Sequence, residues 1–154
     1  MDVVAELKKV ELFKDVPEAG LRAIAEIAEP VSVAAGDVIL VEGGPPDALY
    51  VIRSGRCRIF KEKGGEAKSV VHVHAVDLFG ASAMCDREPR SATVIAVEPS
   101  ELLAFRAERL LAVLQKDAVT AAAFYRALAV SLFKRLRATT EEVGAARLAV
   151  ELHR

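Results

Sequence analysis

The chain has 154 residues, and among them are no tryptophan, only two cysteines and few aromatic residues. Two cysteines are too few for the disulfide framework on which small secreted domains depend. The formal net charge of −1 lacks the basic excess that is typical of a nucleic-acid-binding surface. No apolar run approaches the roughly 18–20 residues that a membrane span needs. We therefore expect no membrane association and a fold held together by its hydrophobic core.

The remaining composition is that of one globular domain. Hydrophobic residues make up 53% and charged residues 28% of the chain, which argues against disorder. A chain of this length can bury a core of its own. The first residues lack the basic stretch and apolar run of a secretory signal. With so few cysteines, this predicts a cytoplasmic location.

The chain divides into three segments that differ in the spacing of their hydrophobic residues. Residues 1–30 are predicted to be helical, with Asp15 as a cap and with apolar residues at helical spacing from Leu21 to Ile27. Residues 31–106 alternate short β-rich runs with turns, and residues 107–154 are predicted to be helical again. The predicted strands are Val38–Val41, Leu49–Arg53, Arg56–Phe60, Ser69–His74, Thr93–Val97 and Leu102–Phe105. This order indicates an α+β fold with a β-sandwich or barrel between helical ends.

The last third of the chain predicts one long helix. No Gly or Pro interrupts the chain from about Asp117 to Glu142, and Gly144 is predicted to end the helix. Part of the apolar stripe must cover the strands, and the rest is available to a second chain, which predicts a homodimer. The alternative is that the whole stripe packs on its own domain. The stripe consists of Phe124, Leu128, Leu132, Leu136 and Val143.

Residues 77–96 predict an anion site. A Phe-Gly turn leads into small residues that let the backbone approach a ligand, and N–H groups at the start of a helical turn favour negative charge. Arg90 follows nine residues after Ala81 and supplies a fork of donors that matches a phosphate. The candidate binding residues here are Phe79, Gly80, Ala81, Ser82, Ala83, Arg90, Ser91 and Ala92.

This segment resembles the phosphate-binding cassette of the cyclic-nucleotide-binding domain, as found in the catabolite activator family and in cyclic-nucleotide-dependent kinases. Residues 36–39 and 47–55 also resemble that family's early turn and central strand, and the likeness extends roughly from Leu12 to Val143. It implies a jelly-roll barrel, or double-stranded β-helix, at residues 31–106, with its cassette at 78–93. N-terminal helices and a long C-terminal helix would flank this barrel.

The resemblance also implies a function. It implies a non-enzymatic sensing domain whose ligand is cyclic AMP in preference to cyclic GMP, with no further cofactor. It implies that Thr139 and Thr140 meet the base, one from each chain of the dimer, since a hydroxyl both donates and accepts. The alternative is that two threonines on an exposed helix face bind nothing. The signal would pass through the long helix to a downstream protein that the sequence does not identify.

Two departures from the family pattern bear on this function. The family cassette usually reads Phe-Gly-Glu, and its glutamate accepts a hydrogen bond from the ribose 2′-hydroxyl, whereas this chain has Ala81. Such a bond contributes roughly 1.5–3 kcal/mol, so we expect binding to be about ten- to a hundredfold weaker. The alternative is a degenerate dimerisation module that binds no nucleotide. Only about ten residues follow Gly144, too few for a helix-turn-helix, so we expect no DNA binding by this chain.

Two further clusters receive a simpler interpretation. His72 and His74 share one face of a predicted strand, as in cupins, but a closed metal site needs three or four ligands and only His153 remains. We therefore predict no metal site, with a cupin-like metal enzyme as the open alternative. The basic cluster of Lys134, Arg135 and Arg137 is predicted to lie on a solvated helix face.

Overall fold

The computed structural model describes residues 2–63, 66–74 and 77–152. The helices are α1 (Val3–Leu7), α2 (Glu18–Ile27), α3 (Ala107–Lys116) and α4 (Ala118–Leu152). The strands are β1 (Glu29–Val33), β2 (Val38–Leu40), β3 (Ala48–Ser54), β4 (Arg56–Lys63), β5 (Glu66–His74), β6 (Leu78–Phe79), β7 (Thr93–Ala96) and β8 (Ser100–Arg106). A 3-10 turn, Ala81–Met84, follows β6.

The strands form two four-stranded antiparallel sheets. The first has the order β1-β8-β3-β6 and the second has the order β2-β7-β4-β5. This is the double-sheet arrangement of a jelly roll, and it confirms the predicted α+β class with helices at both ends. The core between the sheets consists of Leu40, Ile52, Cys57, Val73, Phe79, Val94 and Leu102.

The central strands of the first sheet are buried on both faces. Side chains alternate along a strand, so Val51 and Leu103 point away from the inner core. They join a second cluster with the helices, in which Phe13 packs against Phe105 and Phe124. The helices are therefore attached to the outer face of the first sheet.

Two helix boundaries differ from the prediction. Helix α2 begins after Pro17, which occupies the cap position that we had expected Asp15 to fill. Helix α4 continues through Gly144 to Leu152, so the predicted end at Gly144 is wrong. A single glycine costs a helix about 1 kcal/mol, and strong helix formers stand on both sides of this one.

The apolar stripe of α4 divides into two parts. Phe124 and Leu128 are buried in the helical cluster, whereas Leu132 and Leu136 are 43% and 59% exposed. Phe133 beside them is 60% exposed. The side chain of Val143 lies outside the described part of the structure. Within the described residues, no helix combines the length and apolar character that a membrane crossing requires.

Candidate functional site

A cavity of about 230 Å³ opens between the 3-10 turn and the second sheet. Seven of the ten residues predicted to bind a ligand line it, so the fold brings most of the cassette together around one space. The lining residues are Leu40, Ile59, Phe79, Gly80, Ala81, Ser82, Arg90, Ser91, Ala92, Val94 and Arg135. Ala83 is fully buried beneath the turn and does not belong to this lining.

A larger cavity of about 640 Å³ lies beside α1, away from the cassette. Its wall includes Arg53, whose Nε and Nη2 donate to the two carboxylate oxygens of Glu6 at 2.8 and 2.7 Å. Two of the three guanidinium nitrogens of this arginine are thus engaged by a carboxylate of the same chain. We consider the smaller cavity the candidate site because its arginine retains a buried donor.

The turn at Gly80 depends on the absence of a side chain. Gly80 has φ 82° and ψ 22°, in the left-handed region that residues with a Cβ atom rarely adopt. A Cβ atom at this position would lie 2.9 Å from the Ala48 carbonyl oxygen and 3.0 Å from Nη1 of Arg90. Glycine therefore sets both the direction of the turn and the close approach of Arg90.

Arg90 is only 4% exposed and is held mainly by neutral oxygens. Its Nη1 donates to the Gly80 carbonyl at 3.0 Å, and its Nη2 donates to the Ala48 carbonyl at 2.6 Å. The same Nη2 lies 3.2 Å from Oδ1 of Asp47, whose side chain is 56% exposed. The buried Nε makes no hydrogen bond with any described residue. A buried cation with such incomplete compensation favours an anion beside it.

The aromatic wall of the cavity is supported from behind. Phe79 stacks on Tyr50 with the ring centroids 5.1 Å apart and the planes at 11°. Burial raises the pKa of the Tyr50 hydroxyl, and the nearby Asp47 carboxylate raises it further. Tyr50 therefore stays neutral at physiological pH and adds no negative charge behind the cavity wall.

Arg135 is a site residue that the sequence interpretation missed. It lies on α4 and lines the cavity, and its Nη2 donates to the Leu78 carbonyl at 2.9 Å. As expected from the sequence, Arg135 is exposed, but it also borders the cavity. Arg135 follows Leu128 by seven residues, about two helical turns, so it lies on the same side of α4 as that buried leucine, although Arg135 itself is exposed. That spacing was the signal that would have identified it.

The structure describes the side chain of only one of the two threonines, Thr139 and Thr140, that were predicted to contact the base. The side chain of Thr139 lies outside the described part of the structure. The Thr140 hydroxyl donates to the Leu136 carbonyl at 2.9 Å, and the residue is exposed. Thr140 follows Arg135 by five residues, which is a rotation of about 140° around a helix. Thr140 therefore lies on a different face of α4 from Arg135 and is not among the residues that line the cavity.

The sequence offered His72 and His74 of β5 as possible metal ligands. The side chains of His72 and His74 lie outside the described part of the structure, and so does His153. Among the described residues, no group of three or more His, Cys, Asp or Glu side chains is placed to hold a metal ion.

Comparison with known proteins identifies the family and the fold of this chain. The chain is 35% identical over 103 residues to the cyclic AMP receptor protein of Thermus thermophilus, which covers 66% of this chain but only 46% of that protein. The chain thus spans less than half the length of this relative. The crystal structure of the Thermus thermophilus catabolite activator protein superimposes with a TM-score of 0.74 at 28% identity, over 86% of this chain and 61% of that one.

A kinase regulatory domain is also similar. The regulatory domain of Toxoplasma gondii PKA, in co-crystals with cAMP, superimposes with a TM-score of 0.70 at 26% identity. The match covers 80% of this chain and 45% of that one. The sequence model of the family described as the cyclic nucleotide-binding domain matches residues 30–117, more than half of the chain. This match spans the jelly roll and the whole cassette, and the chain therefore belongs to the cyclic nucleotide-binding domain family.

Proposed function

We propose that this chain is a non-enzymatic sensing domain that binds a cyclic nucleotide with the phosphate at the Gly80 turn. The observation that carries the proposal is the buried Arg90, which borders the cavity with an unbonded Nε. A phosphate there would receive charge-assisted hydrogen bonds and would neutralise a cation that the protein compensates incompletely. The similar domain from Toxoplasma gondii, crystallised with cAMP, supports this assignment.

The other cassette residues take supporting roles. Ser82 and Ser91 offer hydroxyl groups at the cavity wall, and the backbone N–H groups of Ala81 and Ala92 are further donors. Phe79 supplies an apolar wall for the sugar. The preference for cyclic AMP over cyclic GMP rests on a threonine of the long helix. Its hydroxyl group can accept a hydrogen bond from the adenine amino group.

The long helix would carry the signal and form a homodimer. Its exposed stripe of Leu132, Phe133 and Leu136 provides an apolar surface that a second copy of α4 can cover. Thr140 is exposed and does not line its own cavity, so we assign it to the ligand of the partner chain. Arg135 joins α4 to the cavity wall, so a ligand that contacts Arg135 would favour one placement of α4 over another.

Ala81 favours a second candidate function, a dimerisation module that binds no nucleotide. Its methyl group lines the cavity where a longer polar side chain would offer a hydrogen-bond acceptor. In addition, Gly80, Ala48 and Asp47 already accept hydrogen bonds from the two terminal nitrogens of Arg90. This arrangement holds the arginine in place without a ligand.

Calorimetric titration with cyclic AMP and cyclic GMP tests the proposal on the native chain and on Arg90→Lys and Arg90→Met variants. We expect micromolar binding of cyclic AMP, a loss of about tenfold or more in Arg90→Lys and no detectable binding in Arg90→Met. Arg22→Met is the matched control because Arg22 is 71% exposed on α2. Thermal unfolding of each variant verifies that it is folded.

An Ala81→Glu variant separates the two candidate functions. If the native chain binds neither nucleotide but Ala81→Glu does, the pocket is intact and has lost recognition, which supports the dimerisation module. If both chains fail to bind, the sensing function is rejected. If the native chain binds a cyclic nucleotide at micromolar concentration, the second candidate, a dimerisation module that binds no nucleotide, is rejected.

A further inference from the structure

We infer that Gly43 and Gly44 position Arg90 for the phosphate, although neither glycine lines the cavity. The inference rests on the proposed function and adds to it the turn that holds the backbone of the arginine. The N–H of Gly43 donates to the Arg90 carbonyl at 2.8 Å, and the N–H of Arg90 donates to the Gly44 carbonyl at 2.9 Å. The effect of this turn on a ligand would therefore pass through the arginine that it holds.

The turn itself depends on glycine. The N–H of Gly44 donates to the Val41 carbonyl at 2.9 Å, which closes a four-residue turn with Glu42 and Gly43 at its centre. Gly43 has φ 83°, whereas Glu42 is not among the described residues with a positive φ. A positive φ at the third residue alone is typical of a type II turn, which favours glycine or asparagine there. Because the N–H that reaches Arg90 belongs to this left-handed residue, a shift of its φ would move the bond.

The backbone of Arg90 lies outside the regular strands. Strand β2 ends at Leu40 and β7 begins at Thr93, so the two bonds to the glycines continue the antiparallel pairing of β2 and β7 beyond its end. They hold the N–H and the carbonyl of Arg90, while the carbonyls of Gly80 and Ala48 hold its guanidinium group. The direction of the side chain therefore depends on an anchor at each of its ends.

Gly36 provides a matched control for Gly43. The two glycines have φ 88° and 83°, and a Cβ atom at either position would meet nothing within 4 Å. The N–H of Gly36 also donates to a carbonyl, that of Ala96, at 2.7 Å. Alanine should therefore strain the backbone equally at both positions, but of the two glycines only Gly43 is bonded to Arg90.

Calorimetric titration with cyclic AMP and thermal unfolding test the inference on Gly43→Ala and Gly36→Ala. We expect a similar fall of Tm in both variants. The affinity should fall about tenfold in Gly43→Ala, as for one weakened charge-assisted hydrogen bond to the phosphate, and should stay unchanged in Gly36→Ala. Gly43→Asn should keep most of the affinity because asparagine tolerates the left-handed backbone. Native affinity in Gly43→Ala, or equal loss in both alanine variants, would overturn the inference.

The buried Nε of Arg90 supplies a readout that general destabilisation would not move. In ¹H–¹⁵N spectra of the chain without nucleotide, we expect its signal to shift in Gly43→Ala and to keep its position in Gly36→Ala. The loss of the signal in Arg90→Lys assigns it. An unshifted signal in Gly43→Ala would overturn the inference. If the native chain binds neither cyclic AMP nor cyclic GMP, the sensing function is rejected, and this signal still decides whether the turn positions Arg90.

Discussion

Asp47 and Arg90 lie 43 residues apart in the chain and meet at the edge of the cavity, with Oδ1 of Asp47 3.2 Å from Nη2 of Arg90. The carbonyl of the same Asp47 accepts the N–H of Ala107 at 2.9 Å, and Ala107 is the first residue of α3. Asp47 thus connects the arginine of the cassette with the start of the C-terminal helices.

The ion pair between Asp47 and Arg90 predicts how Asp47→Asn changes nucleotide affinity and stability. An amide oxygen can still accept from Nη2, and two carbonyls continue to hold Arg90, so its position should be kept. We expect a severalfold gain in cyclic-nucleotide affinity by calorimetry because one competing negative charge is removed. Stability should change by less than about 1 kcal/mol, since the pair is half exposed. Asp86→Asn, at an exposed position in the cassette, is the control, and weaker binding by Asp47→Asn would contradict the prediction.

Gly80→Ala should damage both folding and binding. The left-handed backbone costs a residue with a Cβ about 1–2 kcal/mol, and the new methyl group would press on the Ala48 carbonyl and on Arg90. We expect a loss of unfolding free energy of more than about 2 kcal/mol by urea denaturation, and a loss of nucleotide binding.

The control for that substitution is Gly36→Ala. Gly36 has a similar φ of 88°, but a Cβ atom there would meet nothing within 4 Å. We therefore expect a cost of about 1–2 kcal/mol without any change in affinity. Equal effects of the two substitutions on binding would show that close packing at Gly80 is unimportant.

The two parts of the α4 stripe should respond differently to truncation. Leu128→Ala removes a side chain that is 2% exposed and should lower the unfolding free energy by about 2–5 kcal/mol. Leu136→Ala changes an exposed residue and should alter the stability of the single chain by about 0.5 kcal/mol or less. Light scattering should nevertheless show weaker self-association of Leu136→Ala. An unchanged molar mass across a dilution series would argue against a dimer through this stripe.

The junction of α3 and α4 should respond to pH through Asp117. The hydroxyl of Thr120 donates to Asp117 at 2.6 Å, and this bond holds the pKa of Asp117 below its ordinary value of 3.8. The ionised carboxylate therefore stabilises the fold above pH 3.8, and this contribution is lost as the pH falls through the lower folded-state pKa. We expect Asp117→Asn to lower Tm at pH 7 and the difference from the native chain to narrow below pH 3.8. A constant difference in Tm would contradict this.

Local patterns determined much of the fold in advance. All six strands that we predicted are present with small changes at their ends, because β-rich runs between turn residues are a property of a few neighbouring residues. Strands β1 and β6 were missed. The predicted helical segment extended to residue 30, yet Pro30 lies in β1 at the edge of the first sheet, where proline is tolerated. With two residues, β6 is too short to show any periodicity.

The sequence by itself determined the cassette, since the glycine turn, the small residues and Arg90 follow each other within a few residues of chain. Only the tertiary structure decided what surrounds them. Leu40, Ile59 and Val94 reach the cavity through the pairing of β2, β7 and β4, and Arg135 reaches it because α4 packs across the domain. Such contacts depend on sheet register and helix rotation, which are set by burial of the whole core. They therefore cannot be identified from the few residues on either side of each contact in the sequence.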